Sequence, residues 1–193
     1  TFSNRMTWFT IFFALTAAAA FESAGGMSGA FLTDKGAGIE KIGYFFSITV
    51  VTAMLTGGLA GGYISDKLSR TKAVAFFLLA TVLLLVIISL LNRFFPQAPD
   101  ILWMALFAGM YFFTGMFTAA SYALFMDMSN PDIAATEFST FMAATNACEA
   151  WAVWSAGAIA ASAGYSIAFL TMCAASLFSL VFLRLIMKNR LKA

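Results

Sequence analysis

The sequence predicts an all-α integral membrane protein with six transmembrane helices spread over residues 1–193. Three observations predict it. The chain is 62% hydrophobic and only 10% charged, with a mean hydropathy of +0.89, whereas a soluble domain carries about 25% charged residues. Its apolar residues form six long continuous runs, not alternating segments of about ten, which selects helices over a β-barrel. The connections between the runs are short and polar, and none is large enough for an extramembrane domain.

A spanning helix needs about 20 apolar residues, and each run supplies them. The first covers roughly 6–32 and turns at Asp34-Lys35-Gly36. The second covers roughly 42–64 and ends in Ser65-Asp66-Lys67. The third, roughly 73–91, contains no charged residue and stops before the Pro96–Pro99 turn. The fourth covers roughly 101–126, the fifth roughly 138–163 after Asn130-Pro131, and the sixth roughly 166–187 after Gly164. The third and sixth are bland, while the first, fourth and fifth carry polar groups. That division places the third and sixth against lipid and the others around a cavity, the arrangement of two inverted three-helix repeats. Gly25/Gly29, Gly57/Gly61 and Gly58/Gly62 are small-xxx-small pairs that let helices approach closely.

Composition also excludes. A net charge of +2 gives no footprint for nucleic acid, and the absence of histidine removes the commonest metal ligand. Cys148 and Cys173 both lie within apolar runs and read as buried free thiols. No nucleophile–base set, phosphate loop or metal cluster appears, so neither an enzyme nor a metal or cofactor is expected. The chain opens on Thr1, not Met, and we expect a piece of a longer protein.

With six spans both ends lie on one side. That side receives Arg5, Lys67, Arg70, Lys72, Arg184, Lys188, Arg190 and Lys192; the other receives Lys35, Lys41 and Arg93. Eight of the eleven basic residues on one side predict that both termini are cytoplasmic. Trp8, Trp103 and Tyr165 fall near span ends, as interfacial aromatics do.

Orientation alone does not require the spacing Gly62-x-x-x-Asp66-Lys67-x-Ser69-Arg70-x-Lys72. It resembles the signature loop between the second and third helices of each half of the major facilitator superfamily, and it lies in the matching place. Lys67 and Ser69 depart from the usual Arg and Gly. The resemblance implies that Gly62, Asp66, Lys67, Arg70 and Lys72 form a cytoplasmic gating latch, with Asp66 facing a helix end; the plain alternative is a merely basic turn. Asn130-Pro131 through Ala134-Ala135-Thr136-Glu137-Phe138, together with Phe21-Glu22-Ser23, Phe31 to Gly36 and Asn146, resembles the peptide/acetyl-coenzyme A/drug transporter family, whose bacterial members include muropeptide permeases. This implies the C-terminal six-helix half of a twelve-helix carrier in a bacterial inner membrane. Its partners would be the lipid bilayer, an N-terminal half, protons and a small-molecule substrate.

The residues support a transport reading beside the resemblance. Glu22 sits in mid-run, where a carboxylate costs about 2.5–3.5 kcal/mol on insertion scales, and such a residue is by default functional. Glu149 lies mid-run one turn after Asn146, so the two share a face, with Thr145 on the next row. Glu22 and Glu149 are proton-coupling candidates. Asn146 and Thr145 are substrate-cavity candidates, with polar packing between helices as the alternative. Tyr111, Thr114, Thr118 and Tyr122 recur at helical spacing as a stripe suited to stacking on and hydrogen-bonding a substrate; packing is again the alternative. Trp151 and Trp154 suit either substrate stacking or interfacial anchoring. Asp127, Asp132 and Glu137 read as loop or helix-capping carboxylates, Glu137 suiting a helix N-terminus.

The expected function is secondary active transport by alternating access, coupled to protons, with a muropeptide-like substrate. The alternatives are a siderophore or acetyl-coenzyme A carrier, a half-size carrier working as a dimer, and a non-transporting assembly or sensor protein of the same fold. A scaffold has no reason to carry intramembrane carboxylates. The charge asymmetry predicts that a thiol reagent applied from outside misses a cysteine placed at Ser69 and labels one placed at Gln97. The opposite pattern would invert the topology.

Overall fold

The computed structural model describes residues 5–190; Lys192 and the side chain of Arg190, counted above among the inner cations, lie outside the described residues. The first run forms α1 (Arg5–Ala17) and α2 (Ala19–Asp34), interrupted at Ala18. The second forms α3 (Ile39–Tyr44), a π-helical stretch (Phe45–Val50) and α4 (Val51–Lys67). The third is α5 (Arg70–Phe94) and the fourth α6 (Asp100–Met128). A single 3-10 turn (Pro131–Ile133) leads into α7 (Ala134–Ala163), and α8 (Tyr165–Arg190) completes the bundle.

The helices run past the expected ends by up to four residues. The apolar pattern stops at the first charge, but the backbone stays helical beyond it because long charged side chains reach out of the hydrocarbon. Five segments are long and apolar enough to cross a membrane: Arg5–Asp34, Ile39–Lys67, Arg70–Phe94, Asp100–Met128 and Tyr165–Asn189. The sixth, α7, has the length, at 30 residues. Thr136, Glu137, Ser139, Thr140, Thr145, Asn146 and Glu149 dilute its apolar character.

The packing obeys a two-fold pattern. The first span, α1 and α2, lies against α7 and α8; α6 lies against α4 and α5; α5 and α8 lie against each other. Exchanging the first, second and third spans with the fourth, fifth and sixth returns the same set of neighbours. This is the packing of two related three-helix repeats. Helix α5 turns Phe77, Leu78, Val82 and Leu85 inward and exposes Phe76, Leu79, Leu83 and Leu90; α8 exposes Leu177, Phe178 and Val181. These outer faces are predominantly apolar, and the exposed Thr171 of α8 returns its hydroxyl to the Ile167 carbonyl of its own helix.

Lipid is as apolar as leucine, so helices associate through close packing. Fully buried Phe13, Phe31, Phe107, Phe125, Phe141 and Phe169 fill the centre. Trp103, expected at the interface, is at the end of α6 but fully buried, edge-on to Phe31 at 5.3 Å, its indole donating to the Ala98 carbonyl at 3.0 Å. The tightest contact joins α4 to α6. A Cβ at Gly57 or Gly61 would overlap the backbone of Phe112 or Met116, and one at Gly115 would overlap the Met54 carbonyl. Gly62 has open space around it. We therefore expect Gly61→Ala to cost about 1–3 kcal/mol through forced separation of the helices, read as a lowered unfolding temperature in detergent. Gly62→Ala should be near neutral. Equal effects would refute the close packing.

Candidate functional site

Ala17 to Ala20 should form a continuous helix, since alanine has the highest helix propensity. The interruption at Ala18 is imposed from outside. The Leu15 carbonyl accepts a hydrogen bond from the Trp151 indole of α7 at 2.9 Å. The Ala20 amide donates to the Ser176 hydroxyl of α8 at 2.8 Å. The Cys148 sulfur lies against the Ala18 backbone. The regular ladder resumes with the Glu22 amide donating to the Ala18 carbonyl at 3.0 Å.

Glu22 therefore lies at the end of the first turn of α2, in mid-span, where the helix N-terminus favours an anion. It is half-buried, and Glu149 of α7 lies within electrostatic range. Tyr111 and Tyr122 of α6 also feel its charge. Sequence-predicted residues from three helices thus lie within electrostatic range of Glu22. Asn146 and Glu149 share the exposed face of α7 with Trp154. Thr145 is half-buried and donates to the Met142 carbonyl of its own helix at 2.7 Å.

The stripe on α6 does not act as one surface. Tyr111 is buried, hydrogen-bonded to Ser28 at 3.0 Å, and its hydroxyl approaches Gly25. Thr114 is buried with its hydroxyl unpartnered. Thr118 donates to the Thr114 carbonyl at 2.9 Å, on the side facing α4. Tyr122 reaches the surface, edge-on to Phe138 at 6.4 Å. Trp151 is bound to α1 rather than presented to a cavity.

Polar contacts close both ends of the bundle. At one end the Arg70 guanidinium donates to the Ala123 carbonyl at 3.0 Å and to the Asp127 carboxylate, capping the C-terminus of α6 as a cation should. Asp66 is only a loose partner of Arg70, at 3.8 Å, and its carboxylate is largely exposed. Lys67 lies over the Tyr63 ring at 4.3 Å. Gly62, Asp66 and Lys67 lie in the last turns of α4 and Arg70 and Lys72 in the first turn of α5, on either side of Leu68 and Ser69, and within this chain Arg70 makes the helix-end contact. Nearby, Glu137 is buried and accepts from the Asn130 amide at 2.7 Å and the Thr7 hydroxyl at 3.1 Å. It stands in the first turn of α7, as expected of a helix-start carboxylate, and also ties that turn to α1 and to the preceding loop.

At the other end, Lys35 donates to the Pro96 carbonyl at 3.1 Å and sits over the rings of Phe31 and Trp103, each at 5.4 Å. Burial holds its ammonium below the ordinary lysine value, with Asp34 opposing. Lys41 pairs with Asp100 at 2.9 Å, Tyr165 donates to Asp34 at 2.8 Å, and Asn92 donates to Ser166 at 2.8 Å. Among the described residues the cations thus separate onto two ends as the sequence groups them.

Residues 1–192 match the family model described as Major Facilitator Superfamily. The chain belongs to the Major Facilitator Superfamily. No curated protein matches it. Membership makes it a secondary-transport protein of the membrane, and the two-fold helix packing is that of half of such a carrier.

In this superfamily chain, sequence reasoning missed Ser28, Thr7, Ser176 and the true role of Trp151. Each partners a residue far away in sequence, and the only local signal was the chemistry itself: a buried indole N–H or hydroxyl must find an acceptor. For Glu137 the outcome is testable. Glu137→Ala leaves the Asn130 amide without its partner, for an expected loss of about 1–3 kcal/mol, measured by thermal unfolding in detergent. Asp132→Ala, at an exposed carboxylate, should change little. Equal stability of the two variants would show that the Glu137 contacts do not hold this end together.

Proposed function

We propose that this chain is the C-terminal six-helix half of a proton-coupled carrier that moves a muropeptide-like solute across a bacterial inner membrane by alternating access. Both termini are cytoplasmic in this reading, and an N-terminal half covers the polar face. The observation that carries it is the pair of mid-span carboxylates, Glu22 and Glu149. They come from two helices to within electrostatic range of one another. An ionisable group costs too much in hydrocarbon to be kept there without work to do.

A proton carrier must gain and lose its proton as the site faces alternate sides. Glu22 suits this role because it heads a helix that begins in mid-membrane, where a changing cavity alternately wets and dries it. Glu149, Asn146 and Trp154 on α7 face outward from this half, toward the space an opposing half would enclose with them. Charge on Glu149 opposes charge on Glu22. Tyr122, at the surface of α6, supplies a ring and a hydroxyl to the same wall. The muropeptide class rests on the motif resemblance of the Asn130–Phe138 loop. The exposed carboxylate of Asp66 supports the latch reading, since it is free to meet a helix N-terminus of the other half when the cytoplasmic side closes.

The test is uptake of a labelled muropeptide, an amino-sugar disaccharide bearing a short peptide, into vesicles holding the protein its gene encodes. Under an imposed pH gradient the wild type should accumulate it. Glu22→Gln should abolish uphill accumulation while sparing exchange, because glutamine keeps the shape but cannot release a proton. Asp66→Asn should slow both uphill uptake and exchange. If Glu22→Gln and Glu149→Gln each accumulate the solute with the normal pH dependence, neither is the coupling group. If the wild type ignores the muropeptide, the substrate assignment fails.

A further inference from the structure

Irregular backbone at membrane depth survives only where protein satisfies it. The break at Ala18 meets that demand through two helices at once. Trp151 of α7 takes the Leu15 carbonyl before the break, and Ser176 of α8 takes the Ala20 amide after it. Ser176, Ala18, Ala19 and Ala20 are buried, and Trp151 is half-buried. Neither contact is needed to hold α1 or α2 as a helix; each acts at the junction between them. Side chains that enter a helical ladder in this way are a recognised cause of bends.

We propose that Trp151 and Ser176 form a clasp on a hinge at Ala18, and that they are positioning residues for Glu22. The inference rests on the reading of Glu22 as the proton-coupling group. Glu22 lies one turn past the hinge, with its amide bonded to the Ala18 carbonyl. Any change in the hinge angle therefore carries the carboxylate with it. The clasp is attached to α7 and α8, so movement of those helices against α1 opens or closes the bend. Conversely, a change of charge on Glu22 alters the energy of the bend. A two-state element biased from both directions is what coupling requires.

The ionisable groups facing Glu22 are Tyr111 and Tyr122 from α6 and Cys148 and Glu149 from α7. Helix α5 carries its charges at its ends, as Arg70, Lys72 and Arg93, and α8 carries Arg184 and Lys188 near its C-terminus. Cys173 of α8 points to the Val82 carbonyl of α5, away from the break. The hinge therefore senses Glu22 against a background set by α6 and α7.

Hydrogen–deuterium exchange of the 15–23 segment tests this without a transported solute. The measurement is made on the whole membrane protein in lipid, at several pH values, after correction for the intrinsic chemical rate. Trp151→Phe keeps the ring and removes the N–H; Ser176→Ala removes the acceptor. Each should speed exchange at the break roughly threefold to tenfold, the change expected for losing one intramembrane hydrogen bond, while leaving exchange elsewhere in α7 and α8 unchanged. In the wild type the corrected rate should depend on pH, and Glu22→Gln should remove that dependence. Unchanged exchange in both clasp variants overturns the clasp. Faster exchange together with a pH-independent wild type leaves the contacts structural and overturns the positioning role. In that second case Glu22→Gln still tests coupling independently in the uptake assay, so the two failures are distinguishable.

Discussion

A peptide group in hydrocarbon has no water to turn to, and the rest of this structure depends on how the chain meets that constraint. Along α5 and α8 it does so by staying regularly helical and apolar. The first span departs from this. Its interruption at Ala18 is tolerated because an indole and a hydroxyl from two other helices take the carbonyl and the amide on either side. The second span departs as well, through the π-helical stretch Phe45–Val50, which sets Phe46 edge-on to Tyr111 at 6.5 Å and against Gly29. Both irregular stretches border the α2 segment that carries Glu22 and Ser28. Irregular helix geometry in membrane carriers commonly marks where a site is built.

The same constraint sorts the charges. Lysine and arginine lie at the ends, where Arg70 caps α6 and Lys41 pairs with Asp100. Such pairs in exposed settings add little stability, but they fix which helix ends are neighbours. Among the described residues only Glu22 and Glu149 remain in the middle. The polarity that keeps α7 from being an ordinary apolar span has the same origin as its role in the site. Asn146 and Glu149 occupy its exposed face, while Cys148 and Trp151 turn back onto α1. One helix thus presents polar side chains on its exposed face and bonds the backbone beside the break at Ala18.

Much of this was legible in the sequence. Six runs, their grouping into repeats and the approximate ends all follow from hydropathy and turn residues. Glu22 and Glu149 stood out because charge is rare within apolar runs, and in the structure Glu149, Tyr111 and Tyr122 each lie within electrostatic range of Glu22. The interruption at Ala18 was not legible, because four consecutive alanines read as ideal helix. Its causes lie 136 and 156 residues away. Trp103 misled for a related reason: it sits where end residues usually face the interface, but it is buried and its indole bonds the Ala98 carbonyl. Tyr111 and Thr114 share their spacing with Tyr122 yet point into the bundle, since helical periodicity assigns a face and does not say what covers it.

The central claim is that Glu22 exchanges a proton within the membrane and that its environment is shared with Glu149. Infrared difference spectroscopy of the carboxyl C=O stretch, on protein in lipid stepped from acid to alkaline pH, reads that exchange directly. The account predicts a protonated-carboxyl band that comes and goes with pH, is lost in Glu22→Gln and is shifted in its titration by Glu149→Gln. A titrating spectrum identical in the wild type and Glu22→Gln would contradict it.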